Sequence, residues 1–150
     1  MVHIELTTIL DQDADRLWQI AMRTELLDFV TYPLVKFTPL EPASLPEIWV
    51  AGEYRLAMRL FGVLPIGWQV ISISFPVPEG QTRYLRDNGH GRFIRRWDHL
   101  ISIAPEGAKT RYTDRVEIEA GILTGLVALC ARLFYAHRQR RWRRLVRDLH

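Results

Sequence analysis

The sequence predicts an α+β fold: a seven-stranded antiparallel curved sheet around a long C-terminal helix, with two short helices after strand one. Three observations predict it. Apolar and polar residues alternate through most of residues 34–120, the period changes to that of a helix from Leu123 to Leu149, and all eight prolines lie at or before Pro105. Strands and helices do not alternate along the chain, which excludes a doubly wound nucleotide-binding fold.

Each element has a local reason. Val2, Ile4, Leu6 and Leu10 share one parity over residues 2–10, as in a half-buried strand. Asp11 and Asp13 offer N-cap oxygens to a short helix carrying Leu17, Trp18, Ile20 and Ala21, and Thr24 to a second bearing Leu26, Leu27 and Phe29, which Pro33 ends. Segments 34–40, 48–60, 66–76, 81–87, 92–104 and 110–119 read as strands separated by proline and glycine pairs, with Asn88-Gly89 as a hairpin turn. In the final helix Leu126, Cys130, Leu133, Phe134 and His137 form one stripe, expected to face the sheet. Trp142, Leu145, Val146 and Leu149 form another, turned elsewhere and available to a homodimer.

A chain of 150 residues is expected to be a single domain over residues 1–150 that buries about 70% of its unfolded surface. At 48% hydrophobic and 25% charged residues it is too apolar for disorder. One cysteine, Cys130, excludes an internal disulfide and a cysteine-based zinc site within one chain. No secretory leader pattern opens the sequence, so a cytoplasmic location is expected. The apolar run from Gly121 to Tyr135 is interrupted by Thr124 and Arg132 and is too short to span a bilayer.

The net charge of +3 is unevenly distributed. Residues 138–150 hold Arg138, Arg140, Arg141, Arg143, Arg144 and Arg147 against Asp148, a net +5 that leaves −2 for the rest. Any docking on an anionic membrane surface or acidic partner therefore falls to this segment, and nucleic acid is a poor expectation for a chain otherwise acidic. The helix dipole also favours arginines there, without any partner.

Trp18 on the first helix, Trp49 with Gly52 and Tyr54, Trp97-Asp98-His99, Thr110 to Val116, and the last helix with Phe134 and Arg138 together carry a resemblance. In these residues and in element order, the chain resembles the START/polyketide cyclase superfamily, SRPBCC, with its helix-grip fold. The likeness runs over nearly the whole chain and is strongest to bacterial members without a defined biochemistry. It implies a hydrophobic small molecule, such as a lipid, polyketide or aromatic metabolite, held between sheet and helix. It implies no particular reaction, because the superfamily holds carriers, receptors and cyclases.

The residues can also be read alone. A hairpin around Glu106-Gly107 sets His99 opposite Asp114, Ile101 opposite Tyr112 and Trp97 opposite Val116, all on the apolar face. The opposite parity carries Asp98, Ser102, Arg111, Arg115, Glu117 and Glu119. A buried imidazole and carboxylate need partners, and each supplies the other's. The pair is expected to raise the His99 pKa and lower that of Asp114 against the opposing effect of burial. It is either a structural tie or a catalytic dyad with His99 as general base, as in a cyclase or aromatase. Tyr54, Tyr84, Trp97 and Tyr112 are pocket-lining or core rings. His137 meets a backbone carbonyl or the cavity, and Arg95 points inward unless a bulge near Gly91 turns it out.

Several chemistries are disfavoured. Ser44, Ser72, Ser74 and Ser102 are the only serines and none sits in a Gly-x-Ser-x-Gly elbow. Gly89-His90-Gly91 lacks the rest of a phosphate-binding loop, and the histidines show no zinc-ligand spacing. No cofactor and no metal are expected.

Overall fold

The computed structural model describes all 150 residues. Strand β1 (Val2–Leu10) leads through helices α1 (Ala14–Ala21) and α2 (Leu26–Thr31) into β2 (Val35–Glu41), β3 (Gly52–Leu60), β4 (Leu64–Ser74), β5 (Arg83–Gly91), β6 (Arg96–Glu106) and β7 (Lys109–Glu119). A short 3₁₀ turn then opens helix α3 (Thr124–Asp148). The seven strands form one antiparallel sheet in the order β1-β7-β6-β5-β4-β3-β2, a meander closed by β1 pairing with β7. Asp13 caps α1 as expected, its Oδ1 accepting from the Arg16 amide at 2.9 Å. Thr24 does not cap α2. Its hydroxyl donates to the Pro46 carbonyl instead, at 2.5 Å, fastening the loop before β3.

Asn88-Gly89 is not a turn. Both residues lie within β5, where Asn88 pairs with Asp98 and Gly89 with Trp97. The glycine has a packing reason: a Cβ there would collide with the Val70 carbonyl oxygen of β4 and press on the Asp87 carboxylate. The β6–β7 register also differs from expectation. Its loop is Gly107-Ala108, with Gly107 at φ 61°, so Glu106 pairs with Lys109. His99 then stands opposite Val116, Ile101 opposite Asp114, Ile103 opposite Tyr112 and Trp97 opposite Ile118. A two-residue slip preserves parity, so the same side chains still face inward. On the outer face Arg86 holds Asp98 through two hydrogen bonds of 2.9 and 2.6 Å, and Arg96 reaches Glu117 at 2.7 Å.

Helix α3 presents Ala131, Tyr135, Arg138, Gln139, Trp142 and Val146 to the interior. The stripe expected to face the sheet is divided: Leu126, Cys130 and Phe134 border the space between helix and sheet, although Leu126 is 62% exposed and Cys130 is exposed too, while Leu133 is turned out to solvent. Trp142, expected on a separate and exposed stripe, is fully buried against Tyr112, their rings 5.2 Å apart, so no Trp142 face is left for a dimer. The helix packs on β1, β7 and α2 rather than on the middle of the sheet. The larger apolar core, with Leu10, Leu17, Leu56, Ile103, Tyr112, Trp142 and Val146, fills the space beneath its second half. A smaller one, with Ile4, Val116, Ile118, Ala131 and Tyr135, fixes its first half to the β1–β7 side. No helix is long and apolar enough to cross a membrane.

Candidate functional site

A cavity of about 420 Å³ lies between the inner face of the sheet and the first half of α3, within the size range of small-molecule sites. It follows from the lean of the helix: a twisted sheet diverges from a straight rod anchored along one edge. Leu126 and Cys130 line the cavity and are also exposed, which sets its opening beside the start of α3. Hydrophobic groups supply 22 of the 27 lining residues, so the exceptions stand out: Arg23, Gln69, Asp87, His99 and Arg138.

The polar pole of the cavity is built behind His99. Asp114 on β7 has no exposure to solvent. Its Oδ1 accepts from His99 Nε2 at 2.7 Å and from the Tyr112 hydroxyl at 3.1 Å, and its Oδ2 accepts from Gln139 Nε2 at 3.1 Å. Gln139 also donates to the Leu6 carbonyl at 2.8 Å, joining helix, β1 and β7. Burial alone would push the Asp114 carboxyl up, but the bonds from His99 and Gln139 and the nearby Arg138 charge outweigh it and hold the pKa below its usual value. Asp114 is therefore ionised and accepts only, so His99 Nε2 carries a proton. His99 departs from expectation: burial lowers its pKa despite the bond to Asp114, and the ring is neutral.

Asp87 on β5 is the cross-strand partner of His99 and faces the same way. Its Oδ1 accepts the Ser72 amide at 2.9 Å, in a stretch where β4 and β5 make no regular pairing. It is half-buried and lines the cavity. Burial raises its pKa from 3.8 to about 7, helped by Asp98 and opposed by the Ser72 amide and Arg138. Arg138 on α3 is only 7% exposed, and its Nε has no hydrogen-bond partner. Its guanidinium lies 5.6 Å from the Tyr135 ring centre. The Tyr135 hydroxyl accepts from Trp97 Nε1 at 2.7 Å, and its ring lies 4.7 Å from that of His99.

Of the residues singled out in the sequence, His99, Trp97, Ile101 and Phe134 line the cavity, and Asp114 and Tyr112 stand directly behind His99. Tyr54 is core: it donates to the Val50 carbonyl at 2.5 Å and packs edge-on against Trp49. Tyr84 lies on the outer face opposite Ser102, because its parity on β5 is opposite to that of Leu85 and Asp87. Arg95 is exposed in the bend before β6, turned outward by the irregular segment after Gly91. His137 is bonded to the Tyr32 carbonyl at 2.7 Å, outside the cavity. The arginines also divide. Arg138 belongs to the cavity, Arg141 donates to the Phe29 carbonyl and stacks 4.1 Å from that ring, and Arg143 reaches Thr8. Arg140, Arg144 and Arg147 are exposed. Sequence reasoning missed Asp87, Gln69, Gln139 and Tyr135. For Tyr135 and Gln139 the available signal was spacing, since they fall on one helical face with Arg138 and Trp142.

The family model described as a domain of unknown function, DUF8410, matches residues 8–146. The chain belongs to this family. No curated protein matches this DUF8410 chain in sequence. Solved structures do match in shape. A START superfamily protein from Mycobacterium smegmatis has a TM-score of 0.63 at 15% identity, covering 99% of each chain. TTHA0849 from Thermus thermophilus has 0.66 at 12%, also covering 99% of each. The Zhui aromatase/cyclase from a Streptomyces species has 0.61 at 8%, covering 97% of this chain and 93% of that one. The DUF8410 chain thus has the helix-grip fold of the SRPBCC superfamily.

The raised pKa of Asp87 has a pH signature. Its folded-state value stands above the unfolded 3.8, so the folded state keeps a proton that the unfolded state releases. Stability linked to this group is intact below about pH 4 and is lost as pH rises to about 7. Asp87→Asn keeps an acceptor for the Ser72 amide and cannot ionise. Thermal melts from about pH 4 to pH 8 should show the variant gaining on the native protein as pH rises; a constant gap contradicts the assignment.

Proposed function

We propose that this chain binds a hydrophobic small molecule, a lipid, polyketide or aromatic metabolite, between the sheet and α3. The observation that carries this reading is the cavity itself, which is apolar over most of its wall, open at one end and backed by a fixed polar pole. Close-packed interiors rarely leave a space of this size. Two solved relatives in fold are a START superfamily protein and an aromatase/cyclase, which fits the same reading. The purified protein should bind Nile red saturably with enhanced fluorescence. Ile101→Trp fills the wall from β6 and should weaken that binding about tenfold or more while the thermal transition remains cooperative. Absence of saturable binding by the native protein would sink the reading.

A second, cyclase-like reading draws on one specific observation. Because Asp114 accepts only, it fixes the His99 proton on Nε2 and leaves Nδ1 unprotonated on a ring that lines the cavity. A neutral, oriented imidazole is suited to take a proton from a carbon next to a carbonyl, leaving an enolate on the substrate. β-Tetralone, an apolar ketone, tests this in D₂O by NMR. General-base chemistry predicts exchange of its α-protons above the buffer rate, slowed about 10²-fold or more by His99→Gln. Exchange at the buffer rate with native protein removes this second reading and leaves binding as the function.

A further inference from the structure

The wall of the cavity carries a cation without a direct ion-pair partner. Arg138 sits on the sheet-facing side of α3, lines the cavity and is more than nine-tenths buried. Its Nε is shielded from solvent and meets no acceptor; no carboxylate stands within ion-pair distance of the guanidinium, whose charged form, opposed by burial, is favoured by Tyr112, Asp114 and Tyr135 around it. The carboxylate behind His99 is already engaged: Asp114 accepts from His99, Tyr112 and Gln139. The remaining cavity carboxyl, Asp87, accepts the Ser72 amide and stands in no ion pair with Arg138. With its pKa raised to about 7, Asp87 is only partly ionised at neutral pH, and its protonated form would donate to an anion rather than compete with one.

The magnitudes decide what this arrangement is for. Holding an ion out of water costs several kcal/mol even after relaxation, and only a partner of opposite charge with good hydrogen bonds offsets it. A guanidinium presents its donors as a planar fork that matches the two oxygens of a carboxylate. Most of the wall is hydrocarbon and aromatic, with Phe134, Trp97 and Ile94 and, from the sheet, Ile71 and Leu85, while the other lining arginine, Arg23, is paired with Glu25 and Glu47.

We propose that the cavity takes an apolar molecule bearing a carboxylate, with the carboxylate on the Arg138 guanidinium and the hydrocarbon or aromatic body along the apolar wall. This rests on the reading of the cavity as a ligand site and narrows the ligand to a class. A neutral sterol or hydrocarbon leaves the cation unpaired, whereas an apolar acid completes it.

The test compares two probes of equal chain length that differ in the head group, dodecanoate and dodecan-1-ol, as competitors of Nile red on the full chain at pH 7. Dodecanoate should displace the dye at a concentration about tenfold lower or better, the increment expected for a charge-assisted pair. Arg138→Met should still bind Nile red but rank the two probes within about threefold, and Arg138→Lys, which keeps charge without the fork, should restore part of the preference. Equal displacement from native protein overturns the carboxylate assignment while leaving the cavity reading intact. A preference that survives Arg138→Met also overturns it. Failure of Nile red to bind the native protein overturns the cavity reading itself. Should Arg138→Met not fold, the comparison on native protein decides alone.

Discussion

Asp114 is an ionised carboxylate removed from water, and the donors that make this tolerable come from different parts of the chain: His99 on β6, Tyr112 on β7 itself, and Gln139 on α3, which also ties the β1 backbone. Removing one donor from such a group leaves buried charge underserved, at a cost of a few kcal/mol. The network therefore fixes more than a side chain. It sets the height and rotation of the helix over one edge of the sheet, and the larger apolar core under Trp142 and Val146 locks the second half in place.

The cavity is the geometric remainder of that anchoring. With α3 held on β1 and β7, the centre of the sheet curls away beneath its first half. Ala131 and Tyr135 keep that half attached, while leucines 129 and 133 are left outside and Leu126 stands at the opening, an arrangement in which the helix closes the space without filling it. The same anchoring places Arg138, one turn before Trp142, on the wall of the cavity. Fold, cavity and polar pole are thus consequences of one clamp rather than separate features.

Most of the architecture was legible because it rests on parity and period, which survive errors of register. His99 and Asp114 were assigned to one inward face from alternation alone, and the two-residue slip at Gly107-Ala108 moved them to a diagonal without turning either away. What was not legible depends on backbone contacts between distant strands. Asn88-Gly89 has turn chemistry, but the glycine answers to the Val70 carbonyl of β4, which local sequence does not show; reading a turn there hid Asp87. The helix misled through composition. Its leucines outweigh Tyr135, Gln139 and Arg138 on any hydrophobicity count, yet the interior face is the one with polar anchors, because that face must meet a carboxylate as well as a core. Arg138 was grouped with its arginine neighbours for the same reason, although only the later ones reach solvent.

The claim on which all this depends is that the space under α3 stays open in the folded protein. Crystals of the purified protein pressurised with xenon test it directly, since xenon enters apolar cavities and displaces little else. The account predicts xenon density against Ile71, Leu85, Ile101 and Phe134 with the protein backbone unchanged. No xenon there, with α3 closed onto the middle of the sheet and those side chains in mutual contact, would contradict it.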